Sequence, residues 1–176
     1  MEMKRYQKKV IQDLSRYMEL LNQEGNMGKA YTTFWNEKGV NVGFGGIKPY
    51  QNILPGVPNL CLKVPTGGGK TFIACNAVKT IFDGLPESKM KAVVWLVPSD
   101  AILTQTLAAL RNPDHPYRMK LNADFGARVE VYTKEQLLSG QNFNITTVGE
   151  QLSIMVLSYD SFRGRKEQLK AKQEKQ

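Results

Sequence analysis

Apolar residues recur at steps of three and four through Tyr6, Val10, Ile11, Leu14, Tyr17, Met18 and Leu21. That spacing puts them on one face of an amphipathic helix over residues 4–24, with Gly25 where a C-cap belongs. A second short helix, carrying Tyr31, Phe34 and Trp35, is predicted over 27–38. Residues 39–58, rich in Gly, Pro and Asn, read as irregular connection. The pattern then shifts to short, continuous apolar runs. Those at 59–64, 91–97, 128–132 and 152–158 predict buried strands. Helical spacing is predicted over 71–82, 100–110 and 160–175, with a helical turn at 134–138. Continuous apolar strands alternating with helices give an α/β fold, a mostly parallel sheet with helices on both faces.

The 176 residues suffice for one domain with a sizeable core, and their apolar and charged fractions (41% and 23%) are ordinary for a globular chain. No apolar run approaches the roughly 18 residues that would span a membrane. The start, Met1-Glu2-Met3-Lys4-Arg5, is charged and unlike a signal peptide. Cys61 and Cys75 sit in apolar segments at a spacing that fits no metal motif, so both are expected to be reduced core residues of a cytoplasmic protein. The net charge of +8 is uneven: residues 161–176 hold six Lys/Arg against two Glu, and residues 1–9 hold four against one. Such ends suit a polyanionic partner, or are solvated helix faces.

The chemistry centres on Val64-Pro-Thr-Gly-Gly-Gly-Lys-Thr71, between a predicted strand and a predicted helix. Gly67, Gly68 and Gly69 permit backbone angles and close approach that side chains block, so their N–H groups can cradle phosphate oxygens. The helix beginning near Lys70 adds its positive end. Lys70 supplies an ammonium to the outer phosphates, and the Thr71 hydroxyl is a natural ligand for the Mg²⁺ that bridges them. The general phosphate-loop pattern has Gly where this chain has Val64, so the match is to a variant in which Pro65 and Thr66 open the loop. ATP with Mg²⁺ is the expected ligand.

The form Pro-Thr-Gly-Gly-Gly-Lys-Thr resembles motif I of superfamily 2 helicases and translocases. The run from Leu62 to Ala74 most resembles the restriction subunit of type III restriction–modification enzymes. The segment from Leu96 to Gln105 resembles the motif that follows the second strand and touches a nucleic-acid backbone. The segment from Ile154 to Phe162 resembles the strand and turn just before motif II, and Arg5-Tyr6-Gln7 resembles the glutamine motif that reads adenine. The resemblance implies a RecA-like P-loop domain over 59–176 with an N-terminal helical extension over 1–58. It also implies an ATP-dependent DNA translocase that pairs with a modification (methyltransferase) subunit and, in full length, carries endonuclease activity. Gln7 is the expected adenine reader, with Gln51 as competitor; Ser99, Thr104 and Gln105 are candidate contacts to DNA phosphates. Another superfamily 2 helicase, a type I restriction motor subunit, a P-loop kinase or regulatory nucleotide-binding module, and a pure DNA-binding module stand as alternatives.

Hydrolysis in this superfamily uses an Asp-Glu pair, and the sequence contains no Asp-Glu dipeptide. The expectation is therefore a chain truncated before motif II and the second RecA-like domain, which binds nucleotide without efficient turnover. His115, in a Pro-flanked turn, is not expected to be catalytic. Trp95 is expected in the core. Tyr31, Phe34 and Trp35 are expected to pack over the phosphate-loop strand rather than stack on bases.

Overall fold

A computed structural model describes residues 2–85, 90–140 and 142–162. The chain divides into two compact units, Met1–Glu87 and Ser88–Gln176.

The first unit is built on helices. Helix α1 (Arg5–Glu24) buries Leu14, Tyr17, Met18 and Leu20 and ends at Gly25, whose left-handed backbone (φ 59°) lets its N–H reach the Leu21 carbonyl. Asn26 then caps α2 (Met27–Glu37) by accepting from the Lys29 N–H at 2.9 Å. Helix α3 (Lys70–Asp83) follows the phosphate loop. Leu14, Tyr17, Met18, Leu20, Ala30 and Ala77 form one core shared by the three helices, with Ile11, Leu21, Tyr31 and Phe34 packed at its margin. Gly84 closes against α1, because a Cβ there would lie 2.7 Å from that of Met18.

The predicted strand over 59–64 does not form: the segment is irregular, and Leu60 and Leu62 are 38% and 44% exposed. Pro58 and Pro65 bracket it, so neither flanking residue can extend a ladder by donating. Cys61 is exposed as a result, against the expectation of a core thiol, whereas Cys75 on α3 is fully buried.

The second unit is an α/β layer: β1 (Ala92–Val97), α4 (Asp100–Arg111), α5 (Pro116–Phe125), β2 (Val129–Tyr132), α6 (Lys134–Leu138), α7 (Ile145–Glu150), β3 (Leu152–Ser158) and a 3₁₀ turn (Tyr159–Phe162). Its three strands run parallel in the order β1-β3-β2, with Val93 opposite Ile154 and Val131 opposite Ile154 on the other side. One face, carrying Val97, Val129, Val131, Leu152, Ile154 and Val156, is almost wholly buried. The opposite face opens at β1, where Val94 is 59% exposed. Trp95 is only half-buried. Arg118 ties α5 to its surroundings by donating to the Leu110 and Val129 carbonyls.

Helices α5 and α7 appear where no helix is predicted. Each buries a single residue, Leu121 or Val148, so neither carries a periodic stripe. Their signals are at their starts: Pro116 at the first position after the His115 cap, and the Asn144 cap, which accepts from the Thr147 N–H at 3.0 Å. At the start of the helix expected over 160–175 the described residues form the 3₁₀ turn; residues 163–176 lie outside the described residues.

Candidate functional site

The loop from Pro65 to Gly69 is shaped by its glycines. The Gly68 N–H donates to the Pro65 carbonyl at 3.0 Å and closes a tight turn. Gly67 and Gly69 both hold φ at 73°, in the left-handed region that favours glycine. Gly68 answers a different demand, since a Cβ there would lie 2.6 Å from Val64 Cγ1 and 2.8 Å from the Pro65 carbonyl oxygen. At Gly69 a Cβ would meet Gln7 Nε2 at 2.6 Å. The Gln7 side chain of α1 thus sits against Gly69 where a larger residue would leave it no room.

That approach is held by hydrogen bonds. The Gly68 carbonyl accepts from the Tyr6 hydroxyl at 2.7 Å and from Gln7 Nε2 at 3.0 Å. Gln7 is 3% exposed, and its Oε1 accepts from the Lys4 N–H at 2.8 Å. No cis peptide occurs among the described residues, so the Gly69 N–H points opposite to the Gly68 carbonyl. Pinning the carbonyl toward α1 therefore turns the next N–H away from α1. Tyr6 is the group that sequence reading misses. Its place in an apolar rhythm hides a hydroxyl aimed 62 residues along the chain.

Helix α3 begins with Gly69 as its N-cap, and no side chain closes its first turn. It has no acidic residue there either, so its positive end is uncompensated. Lys70, exposed, folds back to donate from Nζ to the Pro65 carbonyl at 3.1 Å. Thr71 is half-buried, and its hydroxyl has no partner among the described residues. Thr66 is exposed at the loop's rim. The cradle, the ammonium and the hydroxyl together fit a polyphosphate with its cation. Beside the loop, Lys4, Arg5, Tyr6, Lys8, Lys9 and Gln12 line a cleft of about 930 Å³, which adds positive charge on the α1 side.

Gln51 lies elsewhere in the first unit, exposed, in a cleft with Tyr31 and Tyr50. Ser99, Thr104 and Gln105 belong to the second unit. Ser99 caps α4, accepting from the Ile102 N–H at 3.5 Å, and Thr104 Oγ1 donates back to the Asp100 carbonyl at 3.0 Å. Gln105 is exposed. His115 is used structurally, its Nδ1 accepting from the Tyr117 N–H at 3.2 Å. No cluster of three His, Cys, Asp or Glu that could hold a metal occurs among the described residues. Nor is any described helix long and apolar enough to cross a membrane.

No curated protein and no solved structure matches the chain. The family model of the type III restriction enzyme, res subunit, matches residues 1–176, and with it the α/β fold is that of a RecA-like P-loop domain. With the whole length matched, the chain belongs to the family of type III restriction enzyme res subunits.

Proposed function

We propose that the chain binds ATP with Mg²⁺ at the loop from Pro65 to Thr71, as the nucleotide-binding part of an ATP-dependent DNA translocase that works with a modification subunit. On this reading the chain is cytoplasmic, and residues 1–58 extend a RecA-like domain over 59–176. The observation that carries the reading is the pinned Gly68 carbonyl, held by Tyr6 and Gln7 so that the Gly69 N–H is turned away from α1 before any ligand arrives. The Gly69 N–H, already turned away from α1, needs little rearrangement to meet a phosphate oxygen. Lys70 exchanges the Pro65 carbonyl for the β- and γ-phosphates, a charge-assisted bond in place of a neutral one. The Thr71 hydroxyl ligates the Mg²⁺ that offsets the remaining phosphate charge. Bound ATP would supply the phosphoryl group whose transfer drives movement in such motors.

Gln7 retains a second N–H and a second lone pair beyond its bonds to Lys4 and Gly68, enough for two-point contact with an adenine edge. Ser99, Thr104 and Gln105 stand as contacts to DNA phosphates at the end of a parallel strand, Thr104 and Gln105 being exposed. The sequence holds no Asp-Glu pair to position metal and water, so nucleotide binding without efficient turnover is expected.

Thermal-shift titrations with ATP, ADP and GTP, run alongside phosphate release with Mg²⁺-ATP and DNA, test these assignments. ATP should stabilise the chain more than GTP, and Gln7→Ala should erase that preference while Gln51→Ala keeps it. Equal stabilisation by ATP and GTP would remove the adenine role from Gln7. Turnover at or above about 1 per second, the low end of ordinary enzymes, would overturn binding without hydrolysis.

A further inference from the structure

A second cleft of the first unit, about 730 Å³, lies outside the phosphate loop and the groups that pin it. That volume is within the roughly 300–1,000 Å³ of sites that hold compact organic ligands. Its wall is aromatic. Tyr31 meets Trp35 edge-on, with ring centroids 6.2 Å apart at 69°, and meets Tyr50 at 5.7 Å and 53°. All three rings are half-buried. They touch one another by edges and tilts rather than by full stacking, and each keeps part of its surface open to the cleft. The wall is also fixed, since the Tyr50 hydroxyl accepts from the Asn59 N–H at 2.8 Å.

The unpaired charge lining the cleft has one sign. Lys48 and Lys63 line it, both exposed and both without an acidic partner among the described residues. Asp13, which also lines it, is already engaged by Lys38 at 2.7 Å and Lys9 at 3.0 Å. No glycine loop and no helix N-terminus lines the cleft, so it lacks the parts that hold a terminal polyphosphate.

We propose that this cleft binds an unpaired base of a single-stranded nucleic acid. The base stacks on the wall of Tyr31, Trp35 and Tyr50, and Lys48 and Lys63 meet the phosphates beside it. Aromatic platforms with a basic flank hold single strands with little regard to sequence, because every base has a π-face. The proposal is independent of ATP binding at the loop.

Cys61 makes it testable, because it lines the cleft and is exposed while Cys75 is fully buried. The full chain is treated with a maleimide, and the rate of Cys61 alkylation is followed by peptide mass spectrometry. A fifteen-nucleotide oligothymidylate should slow alkylation at least five-fold, in Lys70→Ala as in the unaltered chain. The double variant Lys48→Ala/Lys63→Ala should need about ten times more oligonucleotide for the same protection, with a shallower dependence on salt. Any of four results would overturn the proposal: no slowing, equal slowing by an abasic strand of the same length, equal slowing by ATP alone, or protection unchanged in the double variant.

Discussion

Two helices of this chain start at opposite extremes of self-sufficiency. Helix α4 closes its own beginning: Ser99 accepts from the Ile102 N–H, and Asp100 places a carboxylate in the first turn against the positive end. Helix α3 does neither. Its cap is Gly69, its first turn carries Lys70 and Thr71, and the loop before it takes its hydrogen bonds through carbonyls, Pro65 and Gly68, rather than through N–H groups to side chains. A helix start satisfied by its own side chains is complete as folded. One whose Gly68 carbonyl is held from outside keeps the Gly69 N–H for an anion. Polar residues near a helix start are thus a weak guide to binding, and Ser99 and Thr104 are legible as candidates by type while their bonds are local.

The comparison breaks most visibly at Gly68. Gly68→Ala forces a Cβ to within 2.6 Å of Val64 and 2.8 Å of the Pro65 oxygen, so the turn must open. Stabilisation by ATP, about 2.7 kcal/mol at a hundred times Kd, should vanish from the melting curve while circular dichroism keeps the helical signal. Lys70→Ala removes a charge-assisted contact, and calorimetry should show ATP binding weaker by about 1.5–3 kcal/mol with the apo melting temperature nearly unchanged. Tyr6→Phe deletes one of two donors to the Gly68 carbonyl. It should weaken ATP by about 1 kcal/mol, roughly five-fold, while adenosine binding stays the same. Ser99→Ala sharpens the comparison from the other side. With its bond already long at 3.5 Å, it should cost about 0.5 kcal/mol of unfolding free energy in urea and leave ATP affinity untouched. A loss of ATP binding there would mean that the two helix starts are not so different.

Much of this contrast was open to sequence reading. Three glycines before Lys-Thr announce a phosphate loop because few other structures need that backbone freedom. Helix α1 and strands β1 and β3 follow from spacing, since their apolar residues outnumber any competing arrangement. The segment over 59–64 failed for a physical reason: an apolar run specifies burial only when a partner strand completes it, and here prolines stand at both ends. Cys61 was misplaced with it. Helices α5 and α7, with one buried residue apiece, leave periodicity nothing to detect. Tyr6 was misread in kind, because a tyrosine on an amphipathic face looks like bulk. Only three-dimensional contact shows the hydroxyl at work.

The hold of Tyr6 and Gln7 on Gly68 has a consequence for proteolysis. The two side chains sit on the first turn of α1, and helix ends are where a fold frays first. Lys4 and Arg5, both exposed trypsin sites, lie on or beside that same turn. When it frays the loop loses its outside grip, and when the loop is filled the turn is clamped in place. The rate of tryptic cutting at Lys4 and Arg5 is therefore a reporter of order in a loop more than 60 residues away along the chain.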